Sequence, residues 1–180
     1  MGRNKLLLEV GGERIVDRVA SALDERCDEL IFCGSGTAPP GARVVEDARP
    51  GLGPLAGIEA GLAAADYPLV FVAAGDMPFL ETALVDHLLG VLEFRGALAA
   101  VPEAGGRTHP LCAAYARDAL PELRSALDDG VRAAREFVRG LETVAYVPGD
   151  EIRSVGDPEV LLMNVNSPRD LRRARELVDA

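Results

Sequence analysis

The sequence predicts one α/β domain in which helices cover both faces of a mostly parallel sheet with an antiparallel insertion. Short apolar runs alternate with stretches whose apolar residues recur at helical spacing, which is the pattern of a doubly wound sheet. The run from Leu69 to Ala74 is apolar throughout, as expected of a strand buried on both faces. The chain has no internal repeat and no low-complexity tract, so residues 1–180 are predicted to form a single domain.

The first half of the chain predicts two helices and three strands. Val16, Val19 and Leu23 keep one face of the first helix. Pro54 suits the first turn of the second helix, which is expected to end near residue 65. The three strands are predicted at residues 30–33, 43–46 and 69–74.

The second half predicts four helices and four strands. Gly105-Gly106 is expected to turn the chain between two strands, which makes that pair antiparallel. Ser167-Pro168 combines a good N-cap with a first-turn proline and predicts the start of the last helix. The strands are expected at residues 97–101, 111–115, 143–147 and 161–165, and the other helices near 84–92, 119–127 and 131–141.

The composition excludes several classes of function. A net charge of −10 argues against binding to nucleic acid or to an anionic membrane surface, because both reward basic proteins. No apolar run approaches the roughly 18 residues of a membrane span. Three cysteines, Cys27, Cys33 and Cys112, form neither a paired framework nor a C-x-x-C motif, which predicts a reducing, cytoplasmic location.

Lys5 is the only lysine among the 19 lysine and arginine residues. A general preference for arginine explains the other basic positions but not this one. Lysine carries a compact ammonium that fits between several phosphate oxygens, whereas arginine carries a planar fork. Lys5 also follows a short Gly-Arg-Asn turn, so it is a candidate phosphate ligand.

Asp76 is the best candidate for a metal ligand. Ligands of doubly wound sheets bind beyond the carboxyl ends of the strands, and Asp76 follows the apolar run that ends at Ala74. Mg²⁺ uses one or two protein carboxylates together with substrate phosphates and water. The alternative is that Asp76 simply caps the helix beyond Pro78. Two other segments are expected at the same edge, residues 47–53 and 164–166.

The glycine-rich loop from Asp47 to Gly57 is a second candidate site. Glycines before a helix N-terminus expose backbone amides to an anion, although a tight turn alone would explain the same residues. Gly51-x-Gly53-x-x-x-Gly57 also imitates a dinucleotide-binding fingerprint. Pro54 argues against that reading because it removes an amide that a pyrophosphate would need.

The remaining polar candidates are open to structural explanations. His109 precedes a proline at the start of a predicted strand, where a structural role is common. Arg132, Arg135 and Arg139 fall on one predicted helix face, which is typical of a solvated surface but could also meet an anion.

Together these motifs resemble molybdenum cofactor guanylyltransferases, within the nucleotidyltransferases of three-layer Rossmann-like fold. The matching motifs run along the whole chain: Met1-Gly2-x-x-Lys5, Asp47-x-x-Pro50-Gly51-x-Gly53-Pro54-Leu55-Ala56-Gly57, Gly75-Asp76-Met77-Pro78, His109-Pro110-Leu111 and Asn164-Val165-Asn166-Ser167-Pro168. The Gly-Pro-Leu-Ala-Gly and Asn-Val-Asn-Ser-Pro runs point to the guanylyl branch rather than the cytidylyl branch.

The resemblance implies transfer of GMP from GTP to the terminal phosphate of molybdopterin carrying molybdenum, with release of pyrophosphate. It implies Mg²⁺ on Asp76, catalytic roles for Lys5 and Asp76, and a nucleotide site of Lys5, Asp47, Gly53 and Asp76. The acceptor side would include Arg107, His109, Asn164 and Asn166. Molybdoenzymes or other proteins of cofactor biosynthesis are possible partners under the same resemblance.

The resemblance differs from this sequence at the front. The family's pattern begins with a strand and a Leu-x-Gly-Gly loop before the Met-Gly pair, so the first strand of the sheet is expected to be missing from these 180 residues. Two alternatives therefore stay open: a nucleotidyltransferase for another nucleotide or acceptor, such as CTP or a sugar phosphate, and a shortened relative that binds without turnover.

Overall fold

The computed structural model describes residues 8–34, 36–46 and 49–179. The strands in these ranges are β1 Glu9–Val10, β2 Glu13–Arg14, β3 Ile31–Cys33, β4 Arg43–Val45, β5 Leu69–Ala73, β6 Ala99–Ala104, β7 Arg107–Thr108, β8 Cys112–Ala116 and β9 Val144–Pro148. The helices are α1 Ile15–Asp24, α2 Pro54–Ala64, α3 Thr82–Arg95, α4 Leu120–Asp128, α5 Ala134–Gly140, α6 Gly149–Ile152, α7 Pro158–Leu161 and α8 Pro168–Val178.

The main sheet has five strands and contains the predicted antiparallel insertion. β8 lies between β5 and β6 and is antiparallel to both, so β5 and β6 run in the same direction. β9 pairs in parallel with β6, and β7 folds back on the end of β6. A separate two-stranded sheet holds β3 and β4 in parallel.

Two tight hairpins use paired glycines. Gly105 and Gly106 join β6 to β7 with φ of 59° and 71°, and Gly11 and Gly12 join β1 to β2 with φ of 63° and 78°. Positive φ at both central positions is what a type I′ turn requires. The first hairpin confirms the predicted turn, while the second was not predicted.

Helices cover both faces of the main sheet, which gives the three layers expected from the resemblance. α1 and α3 pack on one face, where Leu84, Leu88 and Leu92 are fully buried. α2, α4 and α5 pack on the other face around Leu55, Leu62 and Leu123. A smaller cluster joins the β1–β2 hairpin to α8 through Val10, Val165 and Ala174.

A groove of about 690 Å³ separates β3 from β5. Apolar side chains of α1 line one wall, including Val16, Val19 and Leu23, and α2 lines the other. In the described ranges β3 pairs only with β4 and β5 pairs only with β8, so no ladder crosses the groove.

The two strands that border this groove run in the same direction. The backbone amide of Asp66, just before β5, donates to the carboxylate of Glu29, just before β3, over 3.1 Å. Gly34 and Gly75, which follow the two strands, both line the groove. The carboxyl ends of β3 and β5 therefore lie at the same end of the groove.

One predicted strand is wrong. Residues 161–165 do not form a strand, because Leu161 ends the short helix α7 and the chain then runs irregularly toward α8. Leu161, Leu162 and Met163 are nevertheless buried, so the apolar run reflects burial and not a sheet. The predicted helix at 131–141 is also shorter than expected: α5 begins at Ala134, which places Arg132 before the helix.

Within the described part of the chain, no helix combines the length and the apolar character needed to cross a membrane.

Candidate functional site

Asp76 and Asn164 meet at the carboxyl end of β5. The Asn164 side-chain amide Nδ2 donates to Asp76 Oδ1 over 2.8 Å, although 88 positions separate the two residues. The backbone amide of Val165 donates to the Asp76 carbonyl oxygen, also over 2.8 Å. The structure thus brings together two of the three segments that the sequence places at this edge.

The geometry at Asp76 fits a magnesium ligand. Among the residues that the structure describes, Asn164 is the one side chain that bonds the Asp76 carboxylate, and it uses Oδ1. No described side chain bonds the second oxygen, Oδ2, while the amide bond fixes the rotamer of the side chain. The described residues contain no group of three or more His, Cys, Asp or Glu side chains able to enclose a metal. One carboxylate completed by phosphates and water is the arrangement that Mg²⁺ adopts in nucleotide sites.

The glycine loop lies beside the same groove. Gly53 precedes α2 with a φ of 78°, and Pro54 is the first residue of the helix. Gly53 shares the lining of the groove with Gly34, Gly75 and Leu111. The loop therefore presents the N-terminal end of α2, where backbone amides and the helix dipole favour an anion.

His109 sits at the base of the β6–β7 hairpin. Its Nε2 donates to the carbonyl oxygen of Ala104 over 3.3 Å. Burial lowers the pKa of His109, and the nearby charges of Arg107 and Arg135 lower it further. The imidazole is therefore neutral at pH 7 and leaves Nδ1 as an acceptor, since Nε2 carries the proton.

The hairpin segment is tied to the Asp76 edge by backbone hydrogen bonds. The amide of Ala74, two residues before Asp76, donates to the carbonyl oxygen of Leu111 over 2.7 Å. The buried Tyr115 hydroxyl donates to the Pro110 carbonyl oxygen over 2.8 Å. Burial also raises the pKa of Tyr115, which keeps the hydroxyl protonated as a donor. Tyr115 was not singled out from the sequence, where it is simply one residue of an apolar strand.

Arg135 is a second residue that sequence reasoning did not assign to the site. It lies on α5, close enough to His109 to lower the pKa of the imidazole together with Arg107. Two guanidinium groups beside a neutral histidine create a local positive field in a chain whose net charge is −10. The sequence did place Arg135 in a row of arginines that could meet an anion, but spacing along the chain could not show that it lies near His109.

Asn166 differs from Asn164 in its environment. It is exposed and precedes α8, and its backbone amide donates to Asp170 Oδ2 over 3.0 Å. The Ser167 hydroxyl and the amides of Asn166 and Ser167 hold the pKa of Asp170 below its ordinary value. Two other predicted site residues, Lys5 and Asp47, lie outside the described residues.

Comparisons with known proteins agree with this architecture. The family model of the MobA-like NTP transferase domain matches residues 1–145. A probable molybdenum cofactor guanylyltransferase from Pelotomaculum thermopropionicum is 37% identical over 185 aligned residues, which cover 99% of this chain and 87% of the relative.

Solved structures show the same fold over nearly the whole chain. Molybdopterin-guanine dinucleotide biosynthesis protein A from Archaeoglobus fulgidus has a TM-score of 0.77 and 27% identity, with 99% of this chain and 92% of that chain covered. The 2-C-methyl-D-erythritol 4-phosphate cytidylyltransferase from Thermus thermophilus has a TM-score of 0.74 with 98% and 94% covered, and at 24% identity it shows the fold alone.

Proposed function

This chain belongs to the MobA-like NTP transferase family, and we propose that it transfers GMP from GTP to the terminal phosphate of molybdopterin carrying molybdenum. An acceptor phosphate oxygen attacks the α-phosphorus of GTP, the bond to the β-phosphate breaks, and pyrophosphate leaves. The name of the relative at 37% identity supports the choice of GTP and molybdopterin as substrates.

The contact between Asp76 and Asn164 is the observation that carries the proposal. A carboxylate held in one rotamer at the carboxyl edge of β5, with one oxygen left for a ligand, suits a nucleotide site that uses Mg²⁺. Asp76 would hold that ion, which would neutralise phosphate charge when bound. Asn164 would therefore have two roles: it orients Asp76, and it also contributes to acceptor binding, as the resemblance implies.

The rest of the proposed chemistry needs positioning and charge, not a general base. A phosphate monoester has a second pKa of about 6, so the acceptor is already largely dianionic at pH 7. This agrees with a histidine, His109, whose neutral ring can accept or orient but carries no charge. Lys5 would neutralise the oxygens of the α- and β-phosphates, and Asp47 and Gly53 would contact the nucleotide.

The acceptor phosphate is proposed to bind beside the β6–β7 hairpin. Arg107 and Arg135 supply positive charge there, close to His109. Asn166 would complete the acceptor side from the turn before α8.

Nucleotide selectivity of the purified protein tests the proposed function. With molybdenum-molybdopterin and Mg²⁺, pyrophosphate release is expected with GTP and to be far lower with CTP, ATP or UTP. Equal rates with CTP, or transfer to a sugar phosphate in place of the pterin, would contradict the substrate assignment. Nucleotide binding without any transfer would instead indicate a relative that has lost turnover.

We also propose that the groove between β3 and β5 can seat one more parallel strand, of the kind with which the family's pattern begins. β3 and β5 run in the same direction, and both present an edge that no described strand pairs. The α1 side chains between them, Val16, Val19 and Leu23, are apolar. A strand seated there could bond to β3 on one side and to β5 on the other, since neighbouring strands lie about 4.8 Å apart.

An N-terminal extension tests this second proposal. Five apolar β-branched residues followed by a Leu-x-Gly-Gly loop, fused before Met1, should raise the melting temperature and the affinity for GTP and Mg²⁺. Each charge-assisted hydrogen bond from the added loop is worth roughly 1.5–3 kcal/mol, so two of them correspond to hundredfold or greater tightening. The matched control carries a proline at the centre of the added strand, which removes a ladder hydrogen bond. Equal stability and affinity in the extended, control and original chains would contradict a strand in the groove.

A further inference from the structure

Glu59 is a buried carboxylate held between two arginines. It lies on α2, and its side chain is only 8% exposed. Arg49 Nε lies 3.2 Å from Glu59 Oε2, and Arg124 Nε donates to Glu59 Oε1 over 3.2 Å. Both carboxylate oxygens are therefore occupied, as a charge in a buried position requires.

The two arginines belong to different parts of the molecule. Arg124 lies on α4, so its bond to Glu59 joins two helices of the same layer. Arg49 belongs to the glycine loop before α2, and its Nη1 also donates to Asp128 at the end of α4 over 2.5 Å. Arg49 thus connects the loop to both helices, whereas the bond of Arg124 to Glu59 joins only α4 and α2.

The loop has little else to hold it. In the described segment 49–53, Arg-Pro-Gly-Leu-Gly, Arg49 is the one charged side chain, and Leu52 packs against the core from the edge. Gly51 and Gly53 have φ of 83° and 78°, and glycine loses more conformational freedom on ordering than any other residue. A loop of this composition needs an anchor outside itself to keep one shape.

We propose that Glu59 is a positioning residue, which acts through Arg49 to hold the glycine loop in the shape that receives the nucleotide phosphates. Glu59 is buried beside α4, and the two arginines occupy both oxygens of its carboxylate. Its effect on nucleotide binding rests on the proposed function, but its effect on the shape of the loop does not.

The test compares three neutral variants of the same ion cluster. Glu59→Gln removes the charge that holds Arg49 but leaves Arg49 bonded to Asp128, and Arg49→Gln removes both of these bonds. Arg124→Gln removes the other partner of the same carboxylate and leaves both bonds of Arg49 in place. Arg49→Gln also guards against a folding failure of Glu59→Gln, because it leaves Glu59 paired with Arg124. All three are measured by thermal unfolding, by hydrogen exchange at the amides of residues 51–53 without ligand, and by kcat and KM for GTP.

We expect exchange at residues 51–53 to be about tenfold faster in Arg49→Gln, which is equivalent to about 1.4 kcal/mol. Exchange should be faster by a smaller factor in Glu59→Gln, which keeps the bond from Arg49 to Asp128, and unchanged in Arg124→Gln. The KM for GTP should rise by a similar factor in the first two variants, with a smaller change in kcat. Equal exchange at the loop in all three variants would overturn the proposal, since it would mean that Glu59 only stabilises the helix layer. Faster exchange in Glu59→Gln and Arg49→Gln with an unchanged KM for GTP would support the role of Glu59 in holding the loop. That result would contradict instead the proposal that this loop binds the nucleotide.

Discussion

Replacing Asp76 with asparagine should remove most guanylyl transfer while the fold survives. Asparagine keeps the size of the side chain, and its amide oxygen can still accept the 2.8 Å hydrogen bond from Asn164. The backbone bond from Val165 to residue 76 does not involve the side chain. The substitution therefore removes the charge that a hard cation needs and leaves the packing as it was.

The two expected magnitudes differ enough to separate a catalytic role from a structural one. A hydrogen bond to a charged group is worth roughly 1.5–3 kcal/mol and a neutral one roughly 0.5–1.5, so the free energy of unfolding should fall by about 1 kcal/mol. A catalytic metal contributes several kcal/mol to transition-state stabilisation, and each 1.36 kcal/mol is a factor of about ten in rate. We therefore expect kcat/KM to fall by about three powers of ten.

The assay is pyrophosphate release from GTP with molybdenum-molybdopterin and Mg²⁺, beside urea denaturation of the same variant. Asp150→Asn is the matched control, because that carboxylate is 95% exposed and its ion pair with Arg153 lies on the surface. Near-normal turnover in Asp76→Asn would refute the assignment. A loss of stability of several kcal/mol would show that Asp76 acts as a structural cap.

Three further outcomes follow from single contacts. Tyr115→Phe removes the buried bond to the Pro110 carbonyl and should lower the free energy of unfolding by about 1 kcal/mol; an unchanged urea midpoint would mean that the carbonyl finds another donor. The unfolded chain protonates His109 at about pH 6.5 while burial keeps the folded pKa lower, so this residue should make the protein less stable as the pH falls below 6.5. Thermal unfolding of His109→Gln across pH 5 to 8 should lack that part of the decline, and an identical profile would contradict it. Ser167→Ala breaks the capping box with Asp170 at the start of α8 and should cost about 1 kcal/mol, measured by thermal unfolding; a change below about 0.3 kcal/mol would show that Pro168 alone starts the helix.

The elements with strong local signals could be predicted from the sequence. Ser167-Pro168 predicted the start of α8, and the structure adds a capping box with Asp170. The rule that places ligands at the carboxyl edge of a parallel sheet also predicted that residues 75–76 and 164–166 would meet, and Asn164 bonds Asp76. The two segments meet across 88 positions, although the strand expected to place residues 164–166 at this edge does not form.

The predictions that failed, the strand at residues 161–165 and the missed β1–β2 hairpin, each have a local cause in the sequence. Residues 161–165 were predicted as a strand because a short apolar run looks the same in a buried strand and in a buried helix end. Asp157-Pro158 contained the better signal, since Asp157 caps α7 by accepting from the Glu159 amide over 2.9 Å. Gly11-Gly12 likewise has the composition of a type I′ hairpin turn, which was missed at β1–β2.

The anchor at Glu59 could not have been predicted from the sequence. Glu59 is the one charged residue of α2, and nothing in the sequence around it distinguishes a buried carboxylate from a solvated one. Its partners come from a loop ten residues earlier and from a helix 65 residues later. Only the packing of α2 against α4 brings these charges together.

The proposed site combines a rigid part, Asp76 at the end of β5, with a less constrained part, the glycine loop before α2. Asp76 follows a five-residue strand paired along its length with β8, and its side chain is fixed by Asn164, so the proposed metal ligand cannot move without disturbing the sheet. The glycine loop has no such ladder and is held through the side chain of Arg49. In a protein of net charge −10, a triphosphate is repelled unless cations and amides meet it at close range, and their placement must then be accurate. A single buried carboxylate that fixes the loop relative to the sheet edge would provide that accuracy at a position that never touches the substrate.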